Sequence, residues 1–272
     1  IAARVGRLFV ALPDPNPLAA GGAERLRAAG IPTTLGILER EAEASNTVFL
    51  HGMRRNRPFV VAKAAMTLDG RIAWPDGTSQ WITGPEARRE GHRVRVEMGS
   101  VLVGRHTVER DDPLLTARIP GVRNQPQRWV LDPNRKLGDD LRCFQGPNPA
   151  RRIVRAGAEK TDRDLVCPMS NGSFDLPAML ASIKHQGCIG LLVEGGATTV
   201  RSFAAQGLID RFDLFLAPKL FGEGVLWHGE PWSGQSSEGT FEMIRRYGKD
   251  VLLRYVPHSA ERGEQESIRG GQ

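Results

Sequence analysis

Residues 59–66, FVVAKAAM, and residues 188–207, CIGLLVEGGATTVRSFAAQG, decide the fold of this chain. The first run is almost continuously apolar, which is typical of a strand buried on both faces of a parallel sheet. The second joins an apolar run of strand length, through two glycines, to a segment with helical spacing. SVLVG at 100–104 and QRWVLD at 127–132 repeat the buried-strand pattern. We therefore expect a sheet of parallel strands with helices on its faces.

The intervening segments predict helices and a closing hairpin. Residues 83–86, Thr-Gly-Pro-Glu, match a capping box that opens a helix ending at Gly99. LPAMLASIKHQG and residues 197–207 predict two further helices. FEMIRRYG and KDVLLRYV predict an antiparallel hairpin turning at Gly248. The expected fold class is α/β, with a mostly parallel sheet finished by an antiparallel pair.

The first 56 residues form a segment of their own. RLFVALPD and TTLGIL predict short strands, GGAERLRAAG predicts a short helix, and residues 39–56 predict one helix with a basic end. A proline at position 58 restricts the residue before it and marks a boundary. We expect one domain at 1–56, a second at 57–257, and a disordered polar tail at 258–272.

The composition is that of a globular protein. Of the 272 residues, 40% are hydrophobic, and no apolar run approaches the ~18 residues that a membrane helix needs. A net charge of +6 suits phosphorylated ligands as well as nucleic acid, but only 6% of residues are aromatic, too few for a single-strand-binding groove. Three scattered cysteines indicate a reducing cytoplasm, and no His/Cys cluster has zinc spacing. We expect no metal, no membrane and no nucleic acid.

Two features of the pattern point to a phosphorylated ligand. Residues 195–196 are a glycine pair between a strand and a helix, where helix-end N–H groups attract phosphate. A plain tight turn is the alternative. Glu194, just before the pair, suits sugar hydroxyls or proton transfer. On the helix after residue 83, Arg88, His92 and Arg95 share one face, which is either a ligand-facing surface or a solvated basic one.

Further candidate site residues lie within or directly after the predicted buried strands. Lys63 lies inside an apolar strand, from which it either reaches a pocket or extends to solvent at the sheet edge. Thr107, Asp111, Asp112 and Arg118 follow the strand SVLVG. Two adjacent acids before a proline are often only a turn, so the residues alone do not separate a turn from a site.

Five segments together resemble the reductase domain of the bifunctional riboflavin-biosynthesis deaminase/reductase, the RibD family. They are RPFVVAKAAMTLDGRIA, SQWITGPEARR, VLVGRHTVERDDPLLTAR, LLVEGGATTV and LIDRFDLFLAPKLFG, in the family's order over residues 57–222. The segment before residue 57 resembles the end of the family's deaminase domain, a partial cytidine-deaminase-like segment without its zinc site. Ile1 in place of methionine indicates a processed or partial chain.

The resemblance implies a fold, a reaction and a cofactor. The fold is similar to dihydrofolate reductase and usually dimeric. The implied reaction is the reduction of 5-amino-6-(5-phosphoribosylamino)uracil with NADPH, in which hydride goes to the ribosyl C1 and a ribitylamino product forms. Deaminase activity is not carried over.

The resemblance also implies site residues, position by position. NADPH contacts fall on Ala65, Trp81, Thr107, Asp111, Gly196, Ala197, Thr198 and Thr199. Substrate contacts fall on Ser79, Arg95, Leu115, Arg118 and Glu194. Arg95 and Arg118 are expected to hold the ribose phosphate, while Lys63, Asp111 and Glu194 are unranked candidates for moving a proton near C1. Pro133 stands where the family often has a serine that contacts NADPH, so that contact is expected to be lost.

Two other functions fit the pattern. A paralogous reductase would act on a pterin or another glycosylamine, and substrate profiling would distinguish it. A non-catalytic phosphate- or RNA-binding protein would lack NADPH affinity and would bind RNA with a steep salt dependence.

Overall fold

A computed structural model describes residues 1–229 and 238–258, so the tail expected at 258–272 lies outside the described residues except for His258. The helices of the described part are α1 (Gly22–Ala28), α2 (Glu39–Ser45), α3 (Thr47–Arg54), α4 (Pro85–Met98), α5 (Arg105–Asp111), α6 (Leu176–His185), α7 (Ala197–Ala204) and one 3-10 turn (Arg142–Phe144).

The first seven strands of the same residues are β1 (Leu8–Val10), β2 (Thr33–Leu35), β3 (Phe59–Thr67), β4 (Arg71–Ala73), β5 (Ser100–Gly104), β6 (Gln127–Leu131) and β7 (Arg151–Arg155). The later strands are β8 (Leu165–Cys167), β9 (Met169–Ser170), β10 (Ser173–Phe174), β11 (Gly190–Val193), β12 (Arg211–Ala217), β13 (Val225–Leu226), β14 (Gly239–Tyr247) and β15 (Asp250–Pro257).

One large sheet organises the molecule, in the order β14-β15-β12-β3-β11-β5-β6-β7-β8. The strands from β12 through β8 pair in parallel. The last two strands form the antiparallel hairpin, with its turn between Tyr247 and Asp250. The predicted α/β class, a mostly parallel sheet with a closing antiparallel pair, is confirmed.

Both faces of the sheet are covered, as the apolar run in β3 predicts. Val60 and Ala62 point into a core with α6 and α7, and the alternate residues Phe59 and Val61 point into a core with α4. All four side chains are almost fully buried. Burial of a valine or phenylalanine side chain in this way contributes about 1.5–3 kcal/mol.

The predicted capping box at residues 83–86 is wrong, although the helix it opens exists. Gly84 is the N-cap residue of α4, and no side chain caps the helix. Thr83 is buried, and the N–H of Gly84 donates instead to Asp250 Oδ2 at 2.7 Å. A carboxylate from the closing hairpin therefore satisfies the backbone N–H at the start of α4, where no local side chain caps the helix. The predicted end at Gly99 is confirmed, with glycine in the left-handed conformation that ends many helices.

The single helix expected over residues 39–56 is two helices, α2 and α3. Asn46 separates them, and its side-chain Nδ2 donates to the carbonyl of Ala42 at 2.8 Å. Asparagine competes with the helical backbone for hydrogen bonds in this way. The chain changes direction there, and α3 turns toward the main sheet.

Helix α3 packs on the main sheet although it precedes the expected domain boundary at residue 57. Leu50 is buried, and Lys184 donates to the carbonyl of Gly52. A Cβ built on Gly52 would lie 2.7 Å from the Cβ of Ile189, which directly precedes β11. Only glycine allows this approach.

Gly52→Val is therefore expected to destabilise the whole protein by about 1–3 kcal/mol, the usual cost of overpacking. Gly22→Val in α1 is the matched control, because nothing lies within 4 Å of a Cβ at that helical glycine. Urea unfolding of both variants measures the difference. Equal stability of Gly52→Val and the wild type would show that α3 is not docked on the sheet in solution.

Candidate active site

The candidate site lies on the α4 face of the sheet, where the parallel strands approach their carboxyl ends. Val193 of β11 pairs with Ala62 of β3, so the next residues, Glu194 and Lys63, lie side by side. Helix α4 covers them, and a Cβ on Gly91 would be only 3.7 Å from Lys63 Cε. Of the two positions expected for Lys63, the solvated sheet edge is excluded, because β3 is a central strand and its lysine lies under α4.

Arg95 and Glu194 form a bidentate pair at the centre of this site. Arg95 donates from Nε to Glu194 Oε1 at 2.9 Å and from Nη2 to Oε2 at 2.6 Å. Its Nη1 donates to the carbonyl of Thr116 at 2.7 Å. The two side chains are only 13% and 11% exposed, so the pair is held away from bulk water. The solvated-surface interpretation of this helix face is therefore wrong at Arg95.

The charges of the site shift the pKa values of its members in opposite directions. Burial alone would raise the pKa of Glu194, but the positive charges of Arg95 and Lys63 outweigh it and hold the pKa at about 2. Burial lowers the pKa of Lys63, against the raising effect of Glu194. Glu194 is thus an anion at neutral pH, and Lys63 is a lysine that gives up its proton more readily than usual.

His92 and Arg118 complete the cluster. His92 Nδ1 lies 3.4 Å from Arg95 Nη1, and burial together with the charges of Arg95 and Arg118 lowers the pKa of His92 to about 4. The imidazole is therefore neutral at pH 7. Arg118 is exposed, and its Nη1 donates a long hydrogen bond of 3.4 Å to Thr116 Oγ1. Its guanidinium is available to a ligand.

The glycine pair forms the second part of the site. Thr107 Oγ1 accepts from the N–H of Gly196 at 3.2 Å, which ties α5 to the start of α7. A Cβ on Gly195 would lie 2.5 Å from the Cβ of Thr199, so packing requires that glycine. Gly196 has an ordinary φ of −61°, and the nearest atom to a Cβ there is Thr107 Oγ1 at 3.7 Å. The fold does not require the second glycine, and no side chain caps α7.

The remaining predicted residues belong to other local surroundings. Trp81 is exposed, and the guanidinium carbon of Arg88 lies 4.5 Å from its ring centroid. Leu115 is buried, and burial raises the pKa of Asp111 at the end of α5. Among the contacts of the described residues, none joins Asp111 to Lys63 or Glu194.

Ala65 and Ser79 are the last two of the predicted contacts. Ala65 follows Lys63 by two residues on β3 and packs against the core beneath α4, and Ser79 is half-buried in the loop after β4. The carbonyl of Pro133 accepts from the N–H of Arg155 at 3.0 Å, which places this departure from the family pattern at the end of β6.

The sequence predicts His92 only as a member of a helix face and does not predict the Thr116 carbonyl as part of the site. The i, i+3 spacing of His92 and Arg95 on one helix is the sequence signal that indicates His92 as a neighbour of Arg95. A backbone acceptor in a loop leaves no residue-type signal. Within residues 1–229 and 238–258, no group of three or more His, Cys, Asp or Glu could hold a metal ion, and no helix is long and apolar enough to cross a membrane.

This architecture is that of an α/β domain with a mostly parallel sheet, a class in which ligands bind at the carboxyl ends of the strands. Residues 58–253 match the family model for the RibD C-terminal domain. The riboflavin biosynthesis protein RibD of Aquifex aeolicus is 38% identical over 226 residues, which cover 81% of this chain. The chain belongs to the RibD family of riboflavin biosynthesis, and residues 58–253 are its C-terminal domain.

Solved structures agree with this assignment. RibD of Acinetobacter baumannii superposes with a TM-score of 0.83 at 30% identity, covering 95% of this chain and 74% of that one. The Thermotoga maritima protein described as a diaminohydroxyphosphoribosylaminopyrimidine deaminase/5-amino-6-(5-phosphoribosylamino)uracil reductase gives 0.82 at 30% identity, covering 94% and 73%. The aligned part spans 64% of the length of the Aquifex relative.

Proposed function

We propose that this chain is a reductase of riboflavin biosynthesis that reduces 5-amino-6-(5-phosphoribosylamino)uracil with NADPH. The buried Arg95–Glu194 pair carries the proposal, because it fixes a carboxylate beside Lys63 at the carboxyl ends of the central strands. A fixed anion binds sugar hydroxyls, and the surrounding arginines suit a phosphate. The substrate named for the Thermotoga relative has both groups.

The residues at the glycine pair fit NADPH. Gly196 is exposed and needs no glycine for its own conformation, so the missing side chain leaves room for a ligand. The uncapped start of α7 presents N–H groups to a diphosphate. We assign Gly196, Ala197, Thr198, Thr199 and Thr107 to this contact. Ala65, Trp81 and Asp111 are the further proposed cofactor contacts.

The proposed reaction needs one hydride and one proton. When bound, NADPH supplies the hydride. Opening of the ribosylamine ring transfers a proton to the ring oxygen and leaves a C1=N bond, and reduction then adds hydride at C1 and a proton at nitrogen. We assign the proton transfer to Lys63. Burial lowers its pKa from the ordinary lysine value, in the direction of neutral pH, which makes the proton easier to transfer. Glu194, with a pKa of about 2, carries no proton to give.

The other residues bind and orient the substrate. Glu194 accepts hydrogen bonds from the ribose hydroxyls, and Arg118 binds the phosphate, with Ser79 and Leu115 as further contacts. Three of the five N–H groups of Arg95 are already used by Glu194 and Thr116. Arg95 therefore has only two N–H groups left for the phosphate, one on each Nη. We assign it mainly to the orientation of Glu194.

The test is a direct assay of the purified chain. We expect NADPH oxidation with 5-amino-6-(5-phosphoribosylamino)uracil, a ribitylamino product by mass spectrometry, and no comparable rate with dihydrofolate. A higher rate with a pterin would favour the paralogous reductase. NADPH binding without turnover of either substrate would contradict the proposal.

Gly196→Val is expected to weaken NADPH binding about tenfold or more, because the branched side chain stands where the diphosphate approaches. Gly196→Ala should have a smaller effect in the same direction. Both variants should keep the wild-type melting temperature, since a Cβ at this position meets only an ordinary 3.7 Å contact. Fluorescence titration with NADPH measures the affinity. Unchanged affinity in the folded valine variant would place the diphosphate elsewhere.

We also propose that the protein works in the cytoplasm as a homodimer. The three cysteines are free and buried, which suits a reducing compartment. Strand β14 is an edge strand, and its Phe241 and Ile244 are more than half exposed, which supports contact with a second copy. The segment before residue 57 is proposed to be the end of a deaminase domain.

A further inference from the structure

Arg128, on β6, is a buried arginine without a carboxylate partner. Arg128 is only 6% exposed, and in the described part of the chain no Asp or Glu forms an ion pair with it. Its Nη1 donates to the carbonyl of Leu114 at 2.9 Å, and its Nε is buried without an acceptor. Burying an unbalanced charge costs stability, and an apolar side chain of similar size would avoid that cost. The arginine therefore needs a reason other than stability.

Leu114 belongs to residues 112–118, a loop between α5 and β6 that carries Arg118. A second side chain, Gln125, holds the same loop. The N–H of Ala117 donates to Gln125 Oε1 at 2.8 Å, and Gln125 Nε2 donates to the carbonyl of Ala117 at 3.1 Å. The amide thus pairs with both backbone groups of one residue, as a neighbouring strand would.

The loop needs such anchors because its backbone is strained. Asp112 has a φ of 35° and Leu115 a φ of 57°, in the left-handed region that non-glycine residues seldom adopt. At its start, the N–H of Arg142 donates to Asp112 Oδ1 at 2.7 Å. At Thr116, the carbonyl accepts from Arg95. Without several fixed points, a loop of this shape would relax.

We propose that Arg128 and Gln125 are positioning residues that hold the 112–118 loop so that Arg118 faces the substrate and the Thr116 carbonyl stays bonded to Arg95. The inference rests on the proposed function, since it concerns the same site. Arg128 fixes the carbonyl before Leu115, and Gln125 fixes the peptide before Arg118. The ordering of the loop is then complete before the substrate binds, which lowers the entropic cost of binding its phosphate end.

The test separates positioning from a purely structural role. Arg128→Met is expected to raise KM for the substrate about tenfold with little change in kcat, while stability to urea stays equal or rises. Arg128→Lys, which can still donate to the Leu114 carbonyl, should recover part of the affinity. Hydrogen exchange followed by mass spectrometry should quicken in peptides covering residues 112–118 and not elsewhere. NADPH affinity should not change.

Arg151→Met on β7 is the matched control. Arg151 also donates to a backbone carbonyl, that of Arg163 at 2.7 Å, but in a different loop. This variant should leave KM and exchange in the 112–118 loop unchanged. Gln125→Ala provides an independent variant at an exposed residue, with the same expected rise in KM, should Arg128→Met fail to fold.

Unchanged KM in both Arg128→Met and Gln125→Ala would overturn the proposal, as would a rise in KM accompanied by a general loss of stability. An inactive wild-type protein would instead contradict the proposed function. In that case the hydrogen-exchange rates of residues 112–118 in the Arg128 and Gln125 variants would decide whether these two residues hold the loop.

Discussion

Glu194→Gln is expected to lower kcat/KM for the phosphoribosylamino substrate by about a hundredfold at neutral pH. The substitution removes the negative charge from two charge-assisted hydrogen bonds with Arg95, and such bonds contribute roughly 1.5–3 kcal/mol each. It also weakens the acceptor that we assign to the ribose hydroxyls. Steady-state rates over a range of substrate concentrations measure the loss.

The same variant should change the pH profile in a defined direction. The charge of Glu194 raises the pKa of Lys63, against the lowering effect of burial. Without that charge the pKa of Lys63 falls further. If protonated Lys63 supplies the proton, the decline of kcat at high pH should begin at a lower pH in Glu194→Gln than in the wild type. An unmoved profile would remove Lys63 from the reaction.

The protonation of Glu194 should also make the stability of the folded protein depend on pH. Its pKa in the folded protein is about 2, below the ordinary 4.5, so the ionised form is favoured by folding. That contribution is complete above pH 4.5 and is lost as the pH falls toward 2. The stability advantage of the wild type over Glu194→Gln should therefore shrink across this interval.

Glu43→Gln is the control for these measurements. Glu43 accepts two hydrogen bonds from Arg54, as Glu194 does from Arg95, but on the surface, with its side chain 44% exposed. Exposed pairs contribute about 0–1 kcal/mol, so this variant should keep its activity and nearly all its stability. A similar loss of activity in both variants would show that the effect is not specific to the site.

The sequence predicts the sheet well because apolar runs of strand length report burial directly. FVVAKAAM and CIGLLVEGG fall on β3 and β11, the two neighbouring strands at the centre. Helix α5 was not predicted, because RHTVERD is short and has a single buried residue, Val108. Its formation depends on packing beside β5 and β6 rather than on periodicity.

The pairing within the site could not be read from the sequence. Arg95 and Glu194 were both predicted as ligand contacts, yet they are 99 residues apart, and no local pattern shows that they bind each other. Thr83 illustrates the same limit, since the sequence predicts it as the cap of α4, whereas the N–H of Gly84 at the helix start donates to Asp250, 166 residues away. Local sequence patterns indicate which residue types belong to a site, whereas the topology of the sheet determines which of them contact each other.

Arg118→Ala is expected to lower kcat/KM about ten- to a hundredfold, mainly through KM, because a charge-assisted bond to phosphate is lost. Partial burial, and after it the nearby charges of Arg95 and Arg142, lower the pKa of the Arg118 guanidinium. A phosphate dianion would relieve this repulsion, and so the cluster favours that ligand. Arg118→Lys should recover only part of the loss, since lysine cannot form the bidentate contact.

The decisive measurement compares the substrate with and without its phosphate in three proteins. Wild type should lose about as much on removal of the phosphate as Arg118→Ala loses with the intact substrate, and Arg118→Ala should barely distinguish the two compounds. Arg95→Ala should behave differently, because the donors of Arg95 are directed at Glu194 and Thr116. It should lose activity on both compounds and still prefer the phosphorylated one. If the two arginines exchange these behaviours, Arg95 binds the phosphate and Arg118 does not.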